Sequence, residues 1–237
     1  LLEGENAAML VDTGYGIEDV ANFMRHMTDL PLTVFLTHNH HDHAMGSRCF
    51  PETYMLEADM ADWDIFTNDK MRRRVLTQAI GKNLTVDEKT FLAGEIPLPK
   101  VMKPGVIDLG GLTAEIIEAP GHTPGSAVVY VPERKLLLSG DDWNPCTWLF
   151  FPQALGLREY RSNMRGIQQL PFEKVLCPHR EALYDRWMFD DFFNALTDGN
   201  LRAAEPVNIA PYEQIDTCQA TLPHDQVFVF DWAKSGL

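Results

Sequence analysis

Apolar positions change period several times along the chain, and each change marks an element. Leu1-Leu2 and Ala7-Ala8-Met9-Leu10-Val11 flank the polar Glu3-Gly4-Glu5-Asn6, which predicts two short strands around a turn. Ile17, Val20, Ala21, Phe23, Met24 and Met27 recur at helical spacing, with Glu18 and Asp19 expected in the first turn, where the helix dipole favours negative charge. Pro31 forbids continuation, and Leu32, Val34, Phe35 and Leu36 read as a strand. Thr53-Tyr54-Met55-Leu56 reads as the next. From 57 to about 95 a helical insertion is expected. Met60, Trp63, Phe66, Met71, Val75, Leu76 and Ile80 supply apolar faces for helices broken near Asn68 and Gly81. It is placed to act as a lid, and its run Lys70, Arg72, Arg73, Arg74 reads as a solvated helix face.

The second half repeats the alternation. Two strands meet at Gly110-Gly111, and a further pair, Val128–Val131 and Lys135–Leu138, surrounds Pro132-Glu133-Arg134. Leu157, Tyr160, Met164, Ile167 and Leu170 mark a helix with Arg158, Arg161 and Arg165 on its other side. Phe172–Leu176 reads as a strand, Trp187, Phe189, Phe192, Phe193 and Leu196 as a helix, and the tail with Ile209, Ile215, Val227, Val229 and Phe230 as short strands. Alternating strands and helices with no linker or repeat predict one α/β domain over 1–237.

The densest chemistry lies in Thr37-His38-Asn39-His40-His41-Asp42-His43-Ala44-Met45-Gly46, directly after a predicted strand. A strand ending in a tight loop can turn successive side chains to either side of a small pocket. His38 and His40 would face one ion, Asp42 and His43 a second. Imidazole with carboxylate suits zinc, and also manganese or iron. A solvated His-rich tract is the plain alternative, but such tracts lack a preceding buried strand and an embedded Asp.

Three later segments carry further candidates: Gly121-His122-Thr123-Pro124-Gly125-Ser126, Ser139-Gly140-Asp141 and Cys177-Pro178-His179. In this order the four motifs resemble those of the metallo-β-lactamase-fold hydrolases, the glyoxalase II and lactonase-like members more than the true β-lactamases, over nearly the whole chain. The resemblance implies a four-layer αββα sandwich. It implies that His38, His40 and His122 hold one divalent ion, that Asp42, His43 and His179 hold a second, and that Asp141 bridges them, with Asp142 an adjacent competitor. Pro178 and Arg180 stand where the family commonly has glycines. Asp42 would also act in catalysis, orienting the nucleophile or passing a proton to the leaving group. Asp12 is open between support for the site and closing a turn. His26 and His224 read as surface residues, and His41 occupies a variable slot.

By the same resemblance Asp141 argues against β-lactam hydrolysis, since true β-lactamases of this fold generally lack a carboxylate at that position. The implied activity is cleavage of a small-molecule ester, thioester or lactone by a metal-bridging hydroxide. The alternatives are a phosphodiesterase, a mononuclear iron oxygenase of the same fold using His38, His40 and His122, and a non-enzymatic metal-binding module.

Composition narrows the partners. The 237 residues are 45% hydrophobic, enough for a sizeable core, and a net charge of -14 repels phosphate backbones, so a small-molecule substrate is expected and nucleic acid is not. Cys49, Cys146, Cys177 and Cys218 are scattered, reading as reduced thiols of a cytoplasmic protein. No apolar run is long enough to predict a membrane span. The chain opens at Leu1 without Met, which leaves a removed signal or a missing first strand open. An aromatic loop at about 143–156 is expected on the substrate side, with core packing and a homodimer contact as its other readings.

Overall fold

The N-terminal strands form as the alternation predicts. In the computed structural model, which describes residues 1–237, β1 (Leu2–Glu3) pairs antiparallel with β2 (Ala8–Val11), Leu2 opposite Met9. The chain divides into two compact units, Leu1–Ala114 and Glu115–Leu237.

In the first unit β2 runs parallel to β3 (Leu32–Phe35), and the crossover this requires is helix α1 (Val20–Met27). The helix begins later than its charges suggest. Asp19 is not in the first turn but caps it, accepting the N–H of Asn22 at 2.9 Å, and Glu18 lies outside. One helical turn, α2 (His41–Ala44), follows β3, and β4 (Tyr54–Met55) continues the sheet. The helical stretch then runs through a 3-10 segment at Glu57–Asp62 into α3 (Trp63–Thr67), α4 (Asp69–Gly81) and α5 (Glu88–Leu92). The break falls at Asn68, whose side chain caps α4 through the N–H of Met71. β5 (Lys100–Val101) completes the order β1-β2-β3-β4-β5, and β6 (Gly105–Asp108) leads to the Gly110-Gly111 turn.

Trp63, Val75, Leu76, Phe91 and Ile96 are buried in one cluster with Leu36, Ala44, Met45 and Met55, so the apolar faces of the helical stretch are used in the core of the first unit. The basic run also divides. Lys70, Arg73 and Arg74 are exposed, but Arg72 is buried and donates to the carbonyls of Phe91, Ala93 and Gly94.

The second unit begins in β7 (Thr113–Glu118), which pairs with β8 (Ala127–Val131); β8 pairs in turn with β9 (Leu136–Leu138). All five residues of β8 are buried, as a near-continuous apolar run requires. β10 (Cys146–Leu149) and α6 (Leu157–Ile167) follow, then β11 (Lys174–Leu176), which runs parallel to β9. β12 (Leu183–Asp185), not foreseen from the sequence, pairs back on β11. α7 (Arg186–Ala195) and α8 (Asp198–Arg202) precede β13 (Glu205–Pro206), β14 (Thr217–Leu222) and β15 (Gln226–Asp231), giving a second sheet in the order β10-β15-β14-β13. Ile209 and Ile215 lie outside these strands.

The aromatic segment expected as a loop contains β10. Trp143 and Phe150 are fully buried in the second unit, and Trp148 is partly exposed. No helix of the chain is long and apolar enough to cross a membrane.

Candidate metal centre

The first unit supplies four candidate ligands from the end of β3. β3 ends at Phe35, the chain bends at Thr37 and His38, and from an extended His40 it closes into α2, so the motif ends in a helical turn. The rings of His38 and His40 meet with centroids 4.7 Å apart. α2 brings the ring of His43 to 4.1 Å from that of His38. All three imidazoles are buried, while Asp42 in the same turn is partly open.

A hydrogen-bonded frame from the loop after β2 fixes these rings. Asp12 Oδ1 accepts the N–H of Thr37 at 2.7 Å, and its Oδ2 lies 2.9 Å from the Thr37 hydroxyl and 2.8 Å from His43 Nδ1. A carboxylate only accepts, so His43 carries its proton on Nδ1 and its lone pair on Nε2. The Thr37 hydroxyl gives its proton to Asp12 and therefore accepts from His38 Nδ1, 3.0 Å away. The same tautomer follows for His38. Asp12 is thus support for the site.

That loop is packed tightly against the motif. Thr13 donates its N–H and its hydroxyl to the His43 carbonyl, and the Gly46 N–H donates to the Gly14 carbonyl. A Cβ on Gly46 would stand 2.2 Å from the Thr13 carbonyl oxygen, which is why the residue after the motif has no side chain.

In the second unit three loops converge. His122 donates its backbone N–H to Asp142 Oδ1 at 3.1 Å, and its Nδ1 lies 2.7 Å from the carbonyl of Trp148. A carbonyl accepts only, so here too Nε2 is left as the lone-pair nitrogen. Asp141 stands between two histidines. Its Oδ2 is 3.6 Å from His122 Nε2 and 3.4 Å from His179 Nε2, which also lies 3.2 Å from Oδ1. Asp142 turns the other way, is 1% exposed, and receives the hydroxyl of Tyr160 on its carbonyl. Of the two neighbouring carboxylates, Asp141 is the one that lies beside His122 and His179. His179 sits in the β11–β12 turn with a left-handed φ of 63° and an exposed side chain. The thiol two residues before it belongs to the core: burial pushes Cys177 up to about 12, so it stays protonated at neutral pH.

The remaining histidines fall outside these clusters or at their edge. His26 bonds the Asn22 carbonyl of its own helix and is exposed, and His224 pairs with Asp191 at 2.9 Å on the surface. His41 is partly buried beside Asp42, and desolvation lowers its pKa against the opposing pull of that carboxylate.

Within each unit His and Asp side chains stand together, His38, His40 and His43 in the first and His122, Asp141 and His179 in the second, and these residue types can hold a metal ion. The donor chemistry fits such an ion. Three histidines have Nδ1 engaged by an orienting oxygen, the arrangement found where Nε2 binds metal, and the Asp141 carboxylate lies beside both His122 and His179. Sequence reasoning missed Thr37, Asp142 and the Trp148 carbonyl as orienting groups. Thr37 was visible as a hydroxyl next to His38; a backbone carbonyl leaves no mark in sequence.

The model of the Metallo-beta-lactamase superfamily matches residues 1–62 and 65–179. Among curated proteins, the chain is 25% identical over 202 residues to "Acyl-coenzyme A thioesterase MBLAC2" of Gallus gallus, covering 76% of this chain and 70% of that protein. Among solved structures it resembles the metallo-beta-lactamase family protein TTHA1429 from Thermus thermophilus with a TM-score of 0.61, at 17% identity, over 86% of this chain and 75% of the other. It also resembles TTHA1623 in a di-iron-bound form, with a TM-score of 0.51 at 20% identity over 76% and 85% of the two chains. These likenesses show an α/β fold of mixed sheets and helices of the kind that the sequence predicts.

Proposed function

The chain belongs to the metallo-beta-lactamase superfamily, and from that premise we propose that it is a two-ion hydrolase of a small acyl thioester. As the family resemblance implies, His38, His40 and His122 would hold one ion and Asp42, His43 and His179 the other, with Asp141 shared. The observation that supports this reading best is Asp141, whose carboxylate lies 3.6 Å from His122 Nε2 and 3.2 Å from His179 Nε2, within reach of ions that either histidine would hold. Support comes from the two-sided design of the first unit, where His38 lies against both His40 and His43, and from the di-iron form of a structural relative.

Divalent cations held there would lower the pKa of a bound water to about 7 and would polarise the bond under attack. The protein's own groups do the rest. Asp12, Thr37 and the Trp148 carbonyl hold His38, His43 and His122 in the tautomer that presents Nε2. Asp42 is partly open and would orient the attacking water, then hand a proton to the departing sulfur. The thioester is preferred among ester, thioester and lactone because the curated relative is named an acyl-coenzyme A thioesterase. Aromatic rings beside His40 and His122, those of Phe66 and Phe151, suit an apolar acyl group. Zinc is the proposed metal, with manganese or iron suited to the same donors. The four free cysteines fit a reducing, cytoplasmic setting.

The test is elemental analysis of protein purified without chelator, joined to a panel of acyl thioesters, lactones, phosphodiesters and β-lactams. The expected result is about two zinc equivalents and turnover of thioesters that chelation abolishes and zinc restores. His40→Ala should lower kcat/KM by more than about 100-fold. One iron equivalent with oxygen-dependent turnover would replace this reading with an oxygenase. Full thioester turnover by His40→Ala would remove it altogether.

A further inference from the structure

His40 takes support from the helical stretch that follows it. Asn39, its chain neighbour, donates its backbone N–H to Asp59 Oδ2 at 3.1 Å and its side-chain Nδ2 to the Asp59 carbonyl at 2.9 Å. Asp59 is 1% exposed. A carboxylate is costly to bury unless it is hydrogen-bonded, and here it accepts from Asn39, which lies between His38 and His40. Further along the same stretch, Phe66 places its ring 4.6 Å from that of His40 at 58°, itself nearly fully buried.

The stretch is braced so that these contacts hold. Trp63 Nε1 donates to the Ile96 carbonyl at 3.3 Å, and the Thr67 hydroxyl donates to the Trp63 carbonyl at 2.7 Å. Trp63 belongs to the same buried cluster as Leu36, two residues before His38. A rigid path of packed side chains therefore runs from the helices to the ligand segment.

We infer that Asp59 and Phe66 are positioning residues for His40, so that metal affinity is set in part by the helical stretch at residues 57–67. The inference rests on the proposed reading of His40 as a metal ligand. Asp59 fixes the backbone on one side of His40, and Phe66 limits rotation of its ring. Neither touches the reacting atoms.

Zinc affinity, measured by competition with a chromophoric chelator, and the visible spectrum of the cobalt-substituted protein test this without reference to turnover. Asp59→Ala and Phe66→Ala should each weaken zinc binding about 10- to 100-fold and alter the cobalt bands. Asp59→Asn, which keeps an acceptor oxygen, and Phe66→Leu, which keeps an apolar wall, should recover most of both. Where an alanine variant does not fold, Asp59→Ser or Phe66→Val stands in for it and is read the same way. Wild-type zinc affinity and cobalt spectrum in the alanine variants would overturn the inference. So would a loss that follows the fall in Tm and is not recovered by the conservative variants. A wild-type protein that binds neither zinc nor cobalt would instead overturn the proposed function, which keeps the two failures apart.

Discussion

Asp12 Oδ2 lies 2.8 Å from His43 Nδ1, joining residues 31 apart in the chain, and the same oxygen takes the Thr37 hydroxyl at 2.9 Å. One carboxylate thus governs two imidazoles, His43 directly and His38 through Thr37. Its φ of 61° is left-handed, a region that Asp and Asn tolerate better than other side chains.

That conformation makes Asp12→Asn an informative variant. The backbone is kept, but the amide can present N–H where a carboxylate oxygen accepted, which disfavours the Nδ1-protonated tautomer of His43. Zinc affinity by chelator competition should fall about 10- to 100-fold with little change in Tm. An unchanged affinity would show that the ring needs no acceptor there.

Asp141 and Asp142 are neighbours with opposite duties, and substitutions should separate them. Asp141→Asn should lower the bound metal, read by elemental analysis, and thioester turnover, while leaving Tm near wild type. Asp142→Ala removes the acceptor for the His122 N–H in a buried setting, so it should cost about 1–3 kcal/mol of stability. Loss of metal from Asp142→Ala without loss of Tm, together with a normal metal content in Asp141→Asn, would reverse the assignment.

Gly46 and Gly166 are glycines of different kinds. A methyl on Gly46 meets the Thr13 carbonyl at 2.2 Å, and the backbone there is held by the Gly14 carbonyl. Gly46→Ala should destabilise by about 1–3 kcal/mol or more, a fall in Tm of about 2–4 °C for each kcal/mol. Gly166 lies within α6, and a Cβ there would meet nothing within 4 Å. Gly166→Ala should therefore raise stability by about 0.5–1 kcal/mol. Thermal unfolding of both variants checks the contrast.

Much of this was legible in the sequence, for identifiable reasons. The periods that mark α6 and β8 survive because each element buries the face that its pattern exposes: Tyr160 and Met164 on one helix stripe, all of Ala127–Val131 in a strand covered on both sides. The clusters His38–His43 and His122–Asp141 were visible because ligands need side chains of a few types. The frame around them was harder to see. Thr37, Asp142 and Asp59 act through backbone N–H groups or neighbouring rings across 20 to 25 positions, and short polar residues of that kind are common in any loop. β12 is three residues of mixed character, and its pairing with β11 is fixed by register and not by its own pattern.

Arg72 is where the charge pattern misled most, because three of its neighbours in the run are solvated and it is not. Its guanidinium donates to the carbonyls of Phe91 at 2.5 Å, Gly94 at 2.7 Å and Ala93 at 3.1 Å, with Asp69 at 3.3 Å as counter-ion. Three carbonyls at the end of α5 have thus exchanged water for one planar cation, which fits several acceptors at once in a way that a lysine ammonium does not. Arg72→Met keeps the apolar stem but leaves those acceptors without their donor, at roughly 1–3 kcal/mol for a buried group left unsatisfied. The loss should be local first. Amide exchange over residues 88–96 should quicken well before that of β8, since regions held by few contacts open below the global unfolding free energy. Arg72→Lys should fall between the two, keeping the charge and losing the fork. Uniform acceleration across both units, or none at residues 88–96, would mean that the guanidinium does not hold this segment in place.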